Sequence, residues 1–440
     1  MDPPERSYHM DGFDDQSPAM TNEKIRALQS KQRVTTYCVG FAVAFAFLAF
    51  VLGAFATTFV DKNQGHLDSM IDLHNSKSGV ILRYGQAKLS GYRTSTSLFA
   101  GSGSWYVKPA LVAPAGGRSD FIAVPSGDKI FLIGGNDAAG NAMADVTEYD
   151  TILETYTAKA AMPAARARFG AAANDGKIYV VGGVTAGHDD NANVLSTTLV
   201  YDIADNTWTS GPALATARSD TCVAVVGGAV HVVGGYSLYW ETLNSTEVLD
   251  ATASPLAWSA GPTLPAPRGD VTCAASVGHV FVFGGHYDPT ASATSFNYSA
   301  FHATVFSLDV SKSATTWLEK APMPTARGDK AAATLSDGSI IVVGGETHAR
   351  GLQTEVALHD VEQYYPTHDT WVAKAPVPTA RFRFGVAAVD DQVHAFGGHK
   401  VCSSYGDATL DACAADALDS HEVLMDVVHP DIWVHSKIDL

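Results

Sequence analysis

Basic residues are few in this chain. Its 440 residues hold 29 lysines and arginines against 46 aspartates and glutamates, a formal net charge of −17. Such a balance repels polyanions, so it argues against nucleic acid or anionic lipid as partners of the globular part. Cysteine is scarce too: Cys38, Cys222, Cys273, Cys402 and Cys413, with no Cys-x-x-Cys among them. No Gly-rich phosphate loop follows a lone strand, and there is no serine nucleophile elbow. Nucleotide-dependent and serine-hydrolase chemistry therefore have no support in the sequence, and no cofactor is implied. Charge of either sign is thin at 17 %, while glycine is plentiful at 39 residues, which suits short packed strands joined by turns.

What is present is a repeat. Gly-Gly doublets stand at 134/135, 182/183, 234/235, 284/285, 344/345 and 397/398, with successive spacings of 48, 52, 50, 60 and 53 residues. An arginine lies 16 residues before the first glycine in five units (Arg118, Arg166, Arg218, Arg268, Arg381) and 17 before it in the sixth, Arg327. Each doublet ends an apolar run, such as Ile178–Val181, that reads as a strand buried on both faces. Each unit continues through a variable loop to a residue pattern like Leu199-Val200-Tyr201-Asp202, then a spaced tryptophan, here Trp208. A period near ~50 residues with four short strands is the signature of a propeller blade.

These marks resemble the kelch repeat over residues 118–434. The resemblance implies an all-β, six-bladed kelch-type β-propeller of four-stranded blades spanning residues 105–440. Trp105-x-x-Lys108 echoes Trp371-x-x-Lys374, so Trp105–Val112 reads as a fourth strand that completes the sixth blade against Glu422–Val427. Trp433 competes for that place through a shorter connection.

The N-terminal part is different. Residues 1–33 read as a disordered cytosolic tail, and Val34–Val60 carries no charge across 27 residues. As a helix that stretch would extend roughly 40 Å, enough to cross a bilayer. Basic residues precede it, which orients it as a type II signal-anchor; a cleaved signal peptide is the rival reading, with Ala54-Phe55-Ala56 as its site. Residues 61–104 read as a stem. Either way the repeats face the lumen or the cell exterior, in the secretory pathway or at the plasma membrane. Two N-glycosylation sequons agree, at Asn244 and Asn297. Cys402 and Cys413 are candidates for a disulfide within one loop, worth on the order of 3 kcal/mol. Cys222 and Cys273 have opposite parity in neighbouring blades, which permits contact, although two free thiols is the plainer reading.

In kelch-like propellers the Pro-x-x-Arg turn and the loop after Gly-Gly border one mouth of the central channel. Carried onto this chain, that mouth gathers the six arginines and, two residues later, Asp120, Arg168, Asp220, Asp270, Asp329 and Arg383. Arg168 and Arg383 break the Asp pattern and make a basic sector whose guanidinium forks fit a carboxylate, phosphate or sulfate. The alternative is that the phased arginines satisfy local carbonyls or the acids Glu148, Glu247, Glu362 and Glu422. Tyr236, Tyr239 and Trp240 either stack on a ligand or pack under their own loop. His286, Glu346 and His399 follow three consecutive doublets, but nothing in their spacing enforces a metal site. The candidate ligand-binding set is thus Asp120, Arg168, Arg383, Tyr236, Trp240, His286 and His399, with no catalytic constellation and no metal. Long loops at 286–304 and 399–421 suit recognition. The expectation is a membrane-anchored propeller that binds or scaffolds protein or glycan partners. The alternative, implied by a sialic-acid mutarotase in the same family, is an enzyme acting on a small acidic sugar.

Overall fold

A computed structural model describes residues 103–111, 117–185, 193–287, 301–348, 355–400 and 417–425. The anticipated tail, anchor and stem, as well as Asn297, Cys402, Cys413 and Trp433, lie outside the described residues. Among the described residues no helix is long and apolar enough to cross a membrane.

Six four-stranded antiparallel sheets make up the propeller. Blade 1 runs Ile122–Ser126, Lys129–Ile133, Val146–Asp150 and Thr155–Lys159, from the axis outwards. Innermost strands Gly170–Asn174, Cys222–Val226, Thr272–Ser276, Ala331–Thr334 and Gly385–Val389 begin blades 2 to 6. The second strand of each blade is the apolar run seen in the sequence; Ile178–Val181 and Ile340–Val343 are wholly buried. Burial on both faces follows from the architecture, since each blade is covered by its two neighbours. The apolar core accordingly lies in the wedges between blades, as where Phe131 of blade 1 meets Tyr201 of blade 2.

The glycine doublets are explained by one repeated hydrogen bond. The second glycine of each pair donates its N–H to the carbonyl of the arginine that leads into the next blade. The donors Gly135, Gly183, Gly235, Gly285 and Gly345 reach Arg166, Arg218, Arg268, Arg327 and Arg381, and Gly398 closes the circle on Arg118 at 2.7 Å. At Gly183 the backbone holds φ +93, and an added Cβ would stand 2.6 Å from the Ala167 carbonyl oxygen. Only glycine allows both the conformation and the approach.

The sixth blade is completed from the far end of the described chain. Ser104–Lys108 pairs antiparallel with His421–Met425, Trp105 lying opposite Leu424. This is the N-terminal strand that the Trp-x-x-Lys echo favoured. A covalent tie joins the innermost strands of blades 3 and 4 through a Cys222–Cys273 disulfide, Cα–Cα 5.5 Å. The free-thiol reading of these two is corrected: neighbouring innermost strands run side by side, so residues of opposite parity face each other across the wedge.

Candidate functional site

The positions two residues after the phased arginines form a girdle round the axis. Asp120, Arg168, Asp220, Asp270, Asp329 and Arg383 all adopt the left-handed conformation, with φ between 43 and 57. Aspartate tolerates that region through its short polar side chain; arginine does so less readily. Backbone bonds link the girdle from blade to blade: Arg383 to Asp329, Asp120 to Arg383, Arg168 to Asp120, and Asp220 to Arg168, each N–H to carbonyl at 2.8–3.0 Å. The side chains are therefore aimed by the ring itself.

The charges are neutralised in place. Arg168 Nε donates to Asp220 Oδ1 at 2.7 Å, and Arg383 Nε to Asp329 Oδ2 at 2.6 Å, with Asp120 at 3.8 Å. The basic sector read from sequence is thus offset by acids of neighbouring repeats. Asp220, Asp270 and Asp329 bring one carboxylate oxygen each within 4.8 Å of the other two. Burial, then Asp329 and Asp220, push the Asp270 carboxyl well above the usual range. Burial likewise raises Asp220, against the pull of Arg168.

A second layer lies over the girdle. Asn136, Val184, Tyr236, His286, Glu346 and His399, the residues following each doublet, are all buried. Each bridges the strand stub just before the girdle, as Tyr236 does with Ser219 and His399 with Phe382. Tyr236 donates its hydroxyl to Asp270 at 2.8 Å and meets His286 Nδ1 at 3.2 Å. His399 Nε2 stands 3.8 Å from Asp120, and Asn136 donates to Asp120 at 3.2 Å. Trp240 sits in a short 3-10 turn, edge-on to Tyr236, with the Arg168 guanidinium 4.7 Å over its ring. Of the two readings of this loop, the geometry fits packing beneath it. Among the described residues, the groups close enough to share an ion are the three aspartates, while His286, Glu346 and His399 are spread around the ring.

The phased arginines take the structural role. Arg218, Arg327 and Arg381 are fully buried and ion-paired to Glu247, Glu362 and Glu422 at 2.7, 3.0 and 2.7 Å. Arg166, Arg218 and Arg381 also reach back to the first glycine's carbonyl in their own blades. Glu148 does not join this set. It lies opposite Phe131, one residue beyond the position of Glu247 opposite Val232, so it falls on the other strand face and binds Lys159 at 2.8 Å.

Below the girdle the innermost strands enclose a channel of about 390 Å³ whose walls are largely alanine and valine, among them Ala172, Val223, Ala274 and Ala332. Lys330 also belongs to this region and escaped notice in the sequence. It takes the position that Phe121, Phe169, Thr221, Val271 and Phe384 fill in the other blades, directly after the girdle residue. It is buried, its amine has no hydrogen-bond partner, and burial with Arg327 nearby lowers its pKa to about 7. The signal was available: one cation at a repeat position that is otherwise uncharged. Asn244, by contrast, is exposed.

Comparison with known proteins places these features. The family model of the Attractin/LZTR1 β-propeller matches residues 130–404, well over half of the chain. Kelch-like protein terF of Aspergillus terreus is 30 % identical over 268 residues, covering 59 % of this chain and 56 % of that protein. Kelch-like protein 40 of Mus musculus is 33 % identical over 110 residues, 25 % of this chain and 17 % of its own. The chain thus spans about half of the first relative and far less of the second. Among solved structures, that of YjhT superposes with a TM-score of 0.57 at 16 % identity, covering 71 % of this chain and 95 % of that one; at such identity the likeness is one of fold.

Proposed function

The chain belongs to the kelch-repeat β-propellers of the Attractin/LZTR1 family, and from that premise we propose that its ring is a recognition module for a protein or glycan partner, held on the lumenal or extracellular side of a membrane by Val34–Val60. One observation carries the binding reading. The chemistry-bearing residues of the mouth are spent on one another: Arg168 on Asp220, Arg383 on Asp329, Tyr236 on Asp270. What varies between blades is the length of the segment after each doublet, longest at 286–304 and 399–421. Rigid scaffolds carry recognition on such loops. The side of the membrane is supported by the Cys222–Cys273 disulfide, which persists in oxidising compartments, and by the exposure of Asn244 within its sequon.

The alternative, an enzyme acting on a small acidic sugar at this mouth, meets a specific obstacle. A sugar carboxylate must displace Asp220 or Asp329 from its arginine beside two further aspartates. Two measurements on the full chain separate the readings. Replacing the inner parts of these loops, 288–300 or 401–416, by short Gly-Ser connections should abolish cross-linking to the partner while the unfolding midpoint holds. Anomer exchange of an acidic sugar, accelerated by the parent and lost in Arg168→Ala and Arg383→Ala, would instead establish the enzyme. Endoglycosidase sensitivity lost in Asn244→Gln tests the side of the membrane.

A further inference from the structure

Where blade 6 meets blade 1, the clamp between neighbouring blades is built from different chemistry. At the other five junctions a tryptophan in the outermost strand, or directly before it, donates its indole N–H to a carbonyl of the preceding blade: Trp208 to Ala160, Trp258 to Pro212, Trp317 to Pro262, Trp371 to Ala321 and Trp105 to Ala375, at 2.8–3.0 Å. In blade 1 the same position is Tyr156, whose hydroxyl donates to the Pro109 carbonyl at 3.1 Å, just past the closing strand Ser104–Lys108. That hydroxyl is also 3.0 Å from His421 Nδ1, and His421 Nε2 is 2.9 Å from His394 Nδ1.

The proton count of this chain of groups is fixed. With the Tyr156 proton on Pro109, His421 must carry its proton on Nδ1 to donate to the phenol oxygen, and His394 must carry its own on Nδ1 to donate to His421 Nε2. His394 Nε2 is then the bare end, and it is a buried nitrogen with no partner. Every internal link already holds one proton. An added proton either sits on His394 Nε2, where nothing accepts it, or turns a link into two opposed N–H groups.

The surroundings offer the charge no relief. Both histidines are buried; the His421 ring stacks on Phe396 with centroids 4.1 Å apart and meets the Tyr149 edge at 4.7 Å. Tyr149 also lies 5.7 Å from His394. The charged neighbours are cationic: Lys108 opposes His421 in the closing pair, and Arg381 acts on it from the turn leading into blade 6. Their acids are engaged, Glu154 by Lys108 and Glu422 by Arg381, and Asp150 is held by Lys129. Burial, then Lys108, lowers His394 to about 4, and burial with His394 and Lys108 lowers His421 further.

We propose that the His394–His421–Tyr156 relay is an acid-operated latch: protonation breaks it and releases the closing strand Ser104–Lys108 from blade 1, opening the ring at this one junction. The device belongs to the fold and does not depend on which partner the loops bind. Because these imidazoles titrate below their unfolded value of about 6.5, the stability they confer is complete above that value and falls as pH drops towards 4. His394 alone makes the closed seam about 20-fold less favoured at pH 5 than at pH 7.

The test is hydrogen exchange of the full chain in detergent, corrected for intrinsic rates, at pH 7 and pH 5. Protection of Ser104–Lys108 and His421–Met425 should fall at least tenfold on acidification while Lys177–Val181 in blade 2, a strand without histidine, keeps its own. The double variant His394→Phe, His421→Val, which uses residues other blades carry at these positions, should keep its seam closed at pH 5. Equal protection of the seam at both pH values, loss shared evenly by all blades, or acid opening that persists in the double variant would overturn the latch. Should the double variant not fold, imidazole NMR titration of the parent decides: signals moving near pH 6.5 for both histidines sink the proposal, and signals silent until below pH 5 support it.

Discussion

The indole N–H of Trp105 donates to the carbonyl of Ala375 at 2.8 Å, across 270 residues of chain. The bond identifies Ser104–Lys108 as a member of the repeat despite its displacement to the other end of the propeller. It also makes closure depend on one side chain, which packs against the blade 5 to blade 6 core beside Val377 and Leu424. Trp105→Phe keeps most of the buried area and loses the hydrogen bond, at a cost of about 1 kcal/mol. Trp105→Ala loses both, at about 3 kcal/mol. Urea unfolding of the two variants checks the order; equal midpoints for parent and Trp105→Ala would mean that the strand does not close the ring.

The blades were legible because their causes are local and repeated. A doublet that must hold φ > 0, an arginine at fixed distance and an apolar run each announce themselves six times. The site was less legible for the opposite reason: its pairings cross blades. Arg168 looked like a free cation beside blade 1, yet its partner Asp220 comes 52 residues later. Glu148 looked equivalent to Glu247, and a one-residue difference in register sends it to the other strand face. The acidic excess that argued against polyanionic partners has a structural share as well. Asp150, Asp202 and Asp250 each accept backbone N–H groups of the turn that follows them, a local use that net charge cannot reveal.

Arg381 is fully buried and held by Glu422, the Gly397 carbonyl and Ser420. Removing it leaves a buried carboxylate with only Thr379 at 2.8 Å. Arg381→Met should therefore cost about 3–5 kcal/mol, and the double variant with Glu422→Leu should recover most of it. By contrast Lys129→Ala, which breaks the partly exposed pair with Asp150, should stay within about 1 kcal/mol. Denaturant midpoints of the three variants supply the comparison. A single Arg381→Met as mild as Lys129→Ala would show that the pair is open to water.

The girdle makes a pH prediction of opposite sign to the seam. Burial and the nearby Asp329 and Asp220 raise the Asp270 carboxyl in the folded state. A raised group contributes stability below its unfolded value and loses it as pH climbs through the folded value. Asp270→Asn stays neutral throughout and still accepts the Tyr236 hydroxyl. Its stability relative to the parent should therefore rise between pH 5 and pH 8, with no loss of folding at either. Asp220→Asn, which deprives Arg168 of its carboxylate, should be destabilising at both. Unfolding midpoints at the two pH values measure the difference, and a relative stability of Asp270→Asn that falls with pH contradicts the assignment.

The Cys222–Cys273 bond joins the innermost strands of blades 3 and 4 just below Asp220 and Asp270, two of the three crowded aspartates. It closes a sequence separation of 51 residues, for which restricting the unfolded chain stabilises the fold by about 4 kcal/mol. Cys222→Ser with Cys273→Ser should lower the unfolding midpoint accordingly, and a dithiol reductant should do the same to the parent but leave the double variant unmoved. Without the tie, repulsion among Asp220, Asp270 and Asp329 is opposed only by Arg168, Arg383, the Tyr236 hydroxyl and packing, so the reduced protein should lose more stability at pH 8 than at pH 5. The bond also reports the compartment. Protein taken from cells under alkylating conditions should show neither cysteine modified until reduced; if both are alkylated at once, the ring is held in a reducing environment and the lumenal or extracellular placement fails with it.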